Sequence, residues 1–176
     1  DFKKEKILIT GGSGLVGSAL KQILPQTKNV RYIDKEINLC NSESVLEFFA
    51  TFEPHYVIHL AAKVGGVKAN TDYMGDFFTE NIRINTNILH YSYKFHVKKV
   101  LSLLSTCVYP NIVNLPLTED QIHNGPPHVS NYGYAYAKRM IDIQSRAYRQ
   151  QFGCNFITII PNNLYGKYDN FELENS

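Results

Sequence analysis

Short apolar runs alternate along the chain with longer stretches in which apolar residues recur every three or four positions. Lys6-Ile-Leu-Ile-Thr10, Val30-Arg-Tyr-Ile33, Tyr56-Val-Ile-His-Leu60, Lys99-Val-Leu-Ser-Leu-Leu104 and Phe156-Ile-Thr-Ile-Ile160 are short and rich in branched residues, so each predicts a buried strand. Between them, Leu15 to Leu24 has helical spacing and stops at Pro25. Ser42 predicts a cap for a helix through Val45, Leu46, Phe48, Phe49 and Phe52, with Pro54 beyond. Phe77 to Phe95 carries apolar residues at Phe78, Ile82, Ile84, Ile88, Leu89 and Tyr93 and predicts a long helix; Tyr134 to Phe152 predicts another, ended by Gly153. Strand–helix alternation implies right-handed crossovers, hence an α/β, Rossmann-type doubly wound parallel sheet with helices on both faces. Ligands of such sheets bind beyond the carboxyl ends of the strands, where the strand order reverses. Tyr109 to Asn131 has no repeat and is too long for a simple connection, which predicts a loop that belongs to a site.

Composition narrows the class. A length of 176 residues is one domain's worth of chain. With 44% hydrophobic and 19% charged residues, a net charge of +2 and no basic run, neither nucleic acid nor a membrane surface is an expected partner. Cys40, Cys107 and Cys154 are too few for a disulfide framework and fit a reducing compartment; with no Cys-x-x-Cys pair or Cys/His cluster, no metal site is expected. No apolar run reaches the roughly 18 residues that span a bilayer. The charged opening Asp-Phe-Lys-Lys-Glu-Lys does not have the pattern of a signal peptide, and the expected location is cytoplasmic.

Two motifs carry the candidate chemistry. Gly11, Gly14 and Gly17 in Thr10-Gly-Gly-Ser-Gly-Leu-Val-Gly17 follow a strand and open a helix, the context in which such a turn holds the diphosphate of a dinucleotide. At the end of the second strand, Asp34 suits the ribose hydroxyls of NAD, whereas Lys35, or Arg31, suits the 2′-phosphate of NADP. These residues leave the choice open. The second motif is Tyr134-Ala-Tyr-Ala-Lys138, with the two functional groups one helical turn apart. A phenol with its usual pKa of about 10 needs a nearby cation to act at neutral pH, and Lys138 is expected to lower it. Tyr132 and Tyr136 lie nearby, but only Tyr134 stands four residues before a lysine. Ser105-Thr106-Cys107 follows the fourth strand; its hydroxyls either bind the oxygen that Tyr134 protonates or cap the strand end. Cys107 is either a small buried hydrophobe or a thiolate base. His59 reads as a satisfied core histidine, Gly65-Gly66 as a close backbone approach to a ligand, and His123-Asn-Gly-Pro-Pro-His128 as a turn or a substrate rim.

Four segments taken together resemble one family. Leu104-Ser-Thr-Cys-Val-Tyr-Pro110, His123 to Lys138, Pro161-Asn-Asn-Leu-Tyr-Gly166 and His59-Leu-Ala-Ala-Lys-Val-Gly-Gly66 are similar to the GDP-L-fucose synthases, which are extended short-chain dehydrogenase/reductases. The resemblance covers nearly the whole chain. It implies an NADP(H)-dependent homodimer that inverts C3 and C5 of GDP-4-keto-6-deoxy-mannose and then reduces C4. By the same resemblance Tyr134 is the acid for the C4 oxygen, Lys138 its partner on the nicotinamide ribose, Ser105 a hydroxyl on the C4 oxygen and Cys107 the base for epimerisation. Implied cofactor contacts are Gly11, Gly12, Ser13, Gly14, Leu15, Val16 and Gly17; Asp34 and Lys35; Leu60, Ala61 and Ala62; Leu103, Leu104, Ser105 and Thr106; Tyr134 and Lys138; and Pro161, Asn162, Asn163 and Leu164. The glycine turn lacks the arginine of bacterial members, so the phosphate grip falls to Lys35 or Arg31. Tyr168 replaces a histidine common in the family. The acid partner of Cys107 and the substrate domain are implied beyond Ser176, so the chain is expected to be a truncated cofactor domain that binds NADP(H) and turns over little sugar nucleotide. Two rivals remain open: a related nucleotide-sugar 4-epimerase or 4,6-dehydratase, and a non-catalytic NADP-binding regulator.

Overall fold

The computed structural model describes residues 4–169. Five strands, β1 (Ile7–Thr10), β2 (Val30–Ile33), β3 (Tyr56–His59), β4 (Lys99–Leu103) and β5 (Phe156–Ile159), form one sheet in the order β2-β1-β3-β4-β5. All four pairings are parallel. The order reverses between β1 and β3, so a crevice opens at their carboxyl ends. The helices are α1 (Leu15–Ile23), α2 (Ser42–Phe52), α3 (Val67–Asp72), α4 (Met74–Lys94) and α5 (Tyr132–Phe152).

The strands stand where the apolar runs placed them, within a residue or two at each end. Three helical details differ. Asn41, not Ser42, caps α2: its Oδ1 accepts from the Ser44 N–H at 2.9 Å, and Ser42 is the first helical residue. Both long helices begin two or three residues earlier than their periodicity suggests. Helix α3 was not foreseen, because six residues are too few to show a repeat.

Period-two alternation divides the core between the two faces of the sheet. Leu8, Val57, Val100 and Phe156 point toward α2, α4 and α5, where Phe49, Ile88, Leu89 and Ile141 meet them. Ile9, Tyr32 and Ile58 point the other way, where Leu20 and Leu24 close a smaller cluster. Coverage of that second face is partial, contrary to the expectation of two covered faces. Beyond β3 it carries Ile157 and Ile159, which remain 37% and 41% exposed.

One polar chain crosses the interior. Asn85 of α4 donates its Nδ2–H to the Ala137 carbonyl of α5 at 3.2 Å, which turns Oδ1 toward His59 Nε2 at 3.0 Å. The Nε2 atom of His59 must therefore carry the proton, leaving Nδ1 to accept from the Thr10 hydroxyl at 2.8 Å. Thr10 Oγ1 in turn accepts the N–H groups of Leu60 and Ala61 at 3.2 and 3.1 Å. His59 is thus the satisfied core histidine that its position suggested. Burial first, and then the Lys138 charge, push its pKa down to about 4.

The unfolded chain takes up this proton near pH 6.5, so the folded state binds fewer protons between about 4 and 6.5. The stability contributed by neutral His59 is complete above that window and is lost as the pH falls through it, on the order of 3 kcal/mol in all. Thermal stability is expected to fall more steeply from pH 7 to pH 4 in the unaltered chain than in His59→Phe. Equal slopes would show that His59 is not the group responsible.

Candidate active site

The glycine turn is built from close approaches. Gly11 has φ of +75°, and a Cβ there would lie 2.8 Å from the Ala61 nitrogen, so this position both turns and packs against the end of β3. A Cβ on Gly17 would meet the Gly11 carbonyl oxygen at 2.3 Å, so only glycine lets α1 start this close to the turn. The N-terminus of α1 has no side-chain cap and no acidic residue in its first turn. Its N–H groups and the positive end of its dipole are therefore suited to an anion.

A cavity of about 820 Å³ lies over this turn. Of the predicted cofactor residues, Gly11, Ser13, Gly14, Leu15, Val16, Gly17, Asp34, Lys35, Leu60, Ala61, Ala62 and Leu103 line it. Ile37, Asn38, Leu39, Cys40, Lys63, Val64, Glu80 and Ile84 line it too and were not foreseen. A usable signal was present in Ile-Asn-Leu-Cys, an apolar pair just after the acidic strand end. The wall formed by residues 60–64 is pinned by Asn81, whose Oδ1 accepts from the Lys63 N–H at 2.9 Å and whose Nδ2 donates to the Lys63 carbonyl at 3.0 Å. Lys63 also pairs with Glu80 at 2.5 Å.

Other expected contacts lie elsewhere. Gly12 faces away from the cavity, where a Cβ would meet Tyr32 at 2.8 Å. Leu104 is buried in the main core. Arg31 lines a separate groove with Glu47, Phe48 and Phe52, so of the two candidate phosphate grips only Lys35 faces the cavity. Pro161 is half-buried and Asn162, Asn163 and Leu164 are exposed on the segment after β5. That segment returns to the glycine turn, since a Cβ on Gly166 would come within 3.9 Å of Leu15. Gly65 and Gly66 serve packing and capping: Asn70 Nδ2 donates to both carbonyls, at 2.6 and 3.1 Å, and a Cβ on Gly65 would strike Phe77.

The candidate reacting residues Ser105, Thr106, Cys107, Tyr134 and Lys138 do not line the cavity; Lys138 meets its wall through Leu103. Lys138 is buried, and its Nζ donates to the carbonyl of Leu103, itself a cavity residue, at 2.9 Å. The same ammonium lies 5.9 Å from the ring centre of Tyr134. The Ser105 hydroxyl and the Cys107 thiol are both close enough to act on the Tyr134 phenol, in opposite directions. Ser105 Oγ accepts from the Cys107 N–H at 3.3 Å, capping the 3-10 turn Thr106–Val108, the second of the two roles suggested for this hydroxyl. Thr106 is half-buried in the same turn.

Electrostatics correct one expectation. Lys138 was expected to lower the pKa of Tyr134; instead burial, reinforced by Cys107 and only partly opposed by Ser105, pushes Tyr134 up to about 12. Burial pulls Lys138 down to about 8. At neutral pH the pair is a phenol beside an ammonium, an arrangement that can give a proton and cannot readily take one.

The long loop does not present His123 and His128 as a free rim. His123 Nε2 sits 2.9 Å from the buried Asp142 of α5, and His128 Nδ1 lies 2.8 Å from the Ser130 hydroxyl in the turn it caps. Among the described residues no group of His, Cys, Asp or Glu could hold a metal ion, and no helix is long and apolar enough to cross a membrane.

A parallel sheet with a glycine turn and an 820 Å³ cavity at its point of reversal defines the dinucleotide-binding α/β class. The chain belongs to the NAD dependent epimerase/dehydratase family, whose model matches residues 7–176. It is 46% identical to a GDP-L-fucose synthase of Dictyostelium discoideum over 97% of this chain and 55% of that protein. It superposes with a TM-score of 0.88, at 39% identity, on a GDP-L-fucose synthetase of Naegleria fowleri bound to NADP, covering 98% of this chain and 58% of that one. It likewise resembles MlghC, a GDP-mannoheptose C4 reductase of Campylobacter jejuni with NADP bound, with a TM-score of 0.89 and 33% identity over 96% of this chain and 51% of that one. The chain spans about half the length of the curated relatives it matches.

The close approaches separate the glycines by experiment. Gly17→Ala is expected to destabilise the fold by about 1–3 kcal/mol through overpacking, whereas Gly14→Ala, whose added Cβ would meet only the Gly11 oxygen at 3.5 Å, is expected to unfold like the unaltered chain. Equal melting temperatures for the two would contradict the packing argument.

Proposed function

We propose that the chain is the cofactor-binding, reductive half of a GDP-L-fucose synthase. It binds NADP(H), and within the complete protein it takes part in the 3,5-epimerisation and 4-reduction of GDP-4-keto-6-deoxy-mannose. The observation that carries this reading is the gathering of Ser105, Cys107, Tyr134 and Lys138 beside Leu103 of the cavity wall, in a chain whose relatives bear that name. Lys35 and the uncapped start of α1 supply cationic character for a 2′-phosphate and a diphosphate. The exposed Ile157 and Ile159 are surface that a further substrate-binding segment would cover. A homodimer belongs to the same proposal, with Phe78 of α4 and Tyr132 and Ile143 of α5 exposed on the two helices that would pair.

The geometry assigns roles. The bound cofactor supplies the hydride. Tyr134, held protonated, gives its proton to the oxygen that develops charge at C4, and the nearby Ser105 hydroxyl donates to the same oxygen. Lys138, fixed by Leu103, has two further N–H groups for the nicotinamide ribose, and its charge stabilises the phenolate left behind. Cys107 removes the protons that the C4 ketone acidifies at C3 and C5. A second group, an acid, must reprotonate the opposite face.

A second reading, a C4 reductase without epimerase activity, is favoured by the likeness to MlghC. Such an enzyme has no use for a base at Cys107, so solvent deuterium entering C3 and C5 distinguishes the two. In the complete enzyme, Tyr134→Phe is expected to slow C4 reduction about 10²–10⁴-fold. Unchanged turnover would remove Tyr134 from the mechanism. Because Lys138 gives up its proton near 8 and Tyr134 does not until about 12, the hydride step is expected to decline as the pH rises through about 8. A rate that instead rose through that range would mean that a phenolate is the active form.

A further inference from the structure

Helix α5 carries a second row of charged side chains beside the Tyr134–Lys138 row. Arg139, Asp142 and Arg146 are spaced by three and four residues and so lie along one stripe. Arg139 and Asp142 are each only 3% exposed. Asp142 Oδ2 pairs with Arg146 at 2.7 Å and with His123 of the long loop at 2.9 Å. Arg139 lies over the ring of Tyr136 at 5.1 Å and makes two bonds to backbone. Its Nε donates to the Val108 carbonyl and its Nη1 to the Gly125 carbonyl, both at 2.7 Å. Its Nη2 is buried without a partner.

A buried cation with one nitrogen unsatisfied is a poor source of stability, since an apolar side chain of similar size would avoid the desolvation. What the guanidinium does provide is a fixed fork. One prong holds the residue next to Cys107, at the end of the 3-10 turn Thr106–Val108; the other holds the loop at Gly125. The remaining ties between these two segments, Asn111 N–H to the Pro126 carbonyl at 2.9 Å and the bridge between Pro110 and Pro127, lie farther along the chain from Cys107. Ser105, whose Oγ accepts from the Cys107 N–H at 3.3 Å, also has support of its own: Leu104 N–H donates to the Ile159 carbonyl at 2.8 Å. Lys138 depends on Leu103.

We propose that Arg139 is a positioning residue for Cys107, setting the thiol against the sugar's C3 and C5 without touching substrate, and that it serves epimerisation and not reduction. This rests on the reading of Cys107 as the proton-abstracting base. The test uses the complete enzyme with Arg139→Met and measures two steps apart. The first is entry of solvent deuterium at C3 and C5 of GDP-4-keto-6-deoxy-mannose without NADPH. The second is transfer of deuterium from C4-labelled GDP-L-fucose to NADP⁺, which needs only the reductive groups. Exchange is expected to fall on the order of a hundredfold, the loss that a misplaced reacting group of about 1 Å brings, while C4 transfer and NADPH affinity stay as in the unaltered enzyme. Arg139→Lys, which keeps the charge but cannot span both carbonyls, is expected to show an intermediate loss, and it carries the test if Arg139→Met fails to bind NADPH. Equal losses in both steps, or unimpaired exchange, would overturn the proposal. Absence of exchange in the unaltered enzyme, with C4 transfer intact, would overturn the assignment of Cys107 itself and with it the role of Arg139.

Discussion

A single neutral imidazole holds the site's parts in relation to one another. His59 joins the end of β1 to α4, and through Asn85 to the backbone of α5 one residue before Lys138. The Thr10 hydroxyl on its other side orders the N–H groups of Leu60 and Ala61, which begin the cavity wall. The chain of donors and acceptors has one direction only. A second proton on the ring would leave Nδ1 a donor facing an oxygen already occupied by two N–H groups. Burial and the nearby Lys138 charge both oppose that proton, so the lysine of the candidate pair also keeps its own scaffold in one protonation state.

The same burial decides the character of the reacting pair. A lysine that merely neighboured an exposed tyrosine would make it more acidic. Here Tyr134 is withdrawn from water and Lys138 spends its first hydrogen bond on Leu103, so the phenol stays intact. The result is a proton donor at rest and a cation ready to stabilise its conjugate base, which fits reduction of a ketone better than oxidation of an alcohol.

Much of this was legible in the sequence, for identifiable reasons. Strand positions followed from runs of branched residues, and the glycine turn from its place between a strand and a helix. What escaped was polar and long-range. Asn81, Asn85, Arg139 and Asp142 sit on helical positions that hydropathy assigns to solvent, yet all four are buried because their hydrogen-bond partners, from 4 to 52 residues away, come from other elements or from the preceding turn of the same helix. The Tyr134 pKa failed for the same reason: spacing reveals which charge is near, but not how much water remains. The floor of the cavity at Ile37–Cys40 was missed because it has neither a repeat nor a charged motif.

Helix α5 acts as a ruler with two scales. One stripe reaches the cavity wall through Leu103 and the other clasps the loop, and their angular offset is set only by the number of residues between Tyr134 and Arg139. Each residue turns an α-helix by 100°. Substitutions along α5 can therefore adjust either stripe separately, but a one-residue insertion or deletion between them would rotate one out of phase with the other. The two stripes are locked in register, so the loop is free to drift in length and composition only where it is not clasped.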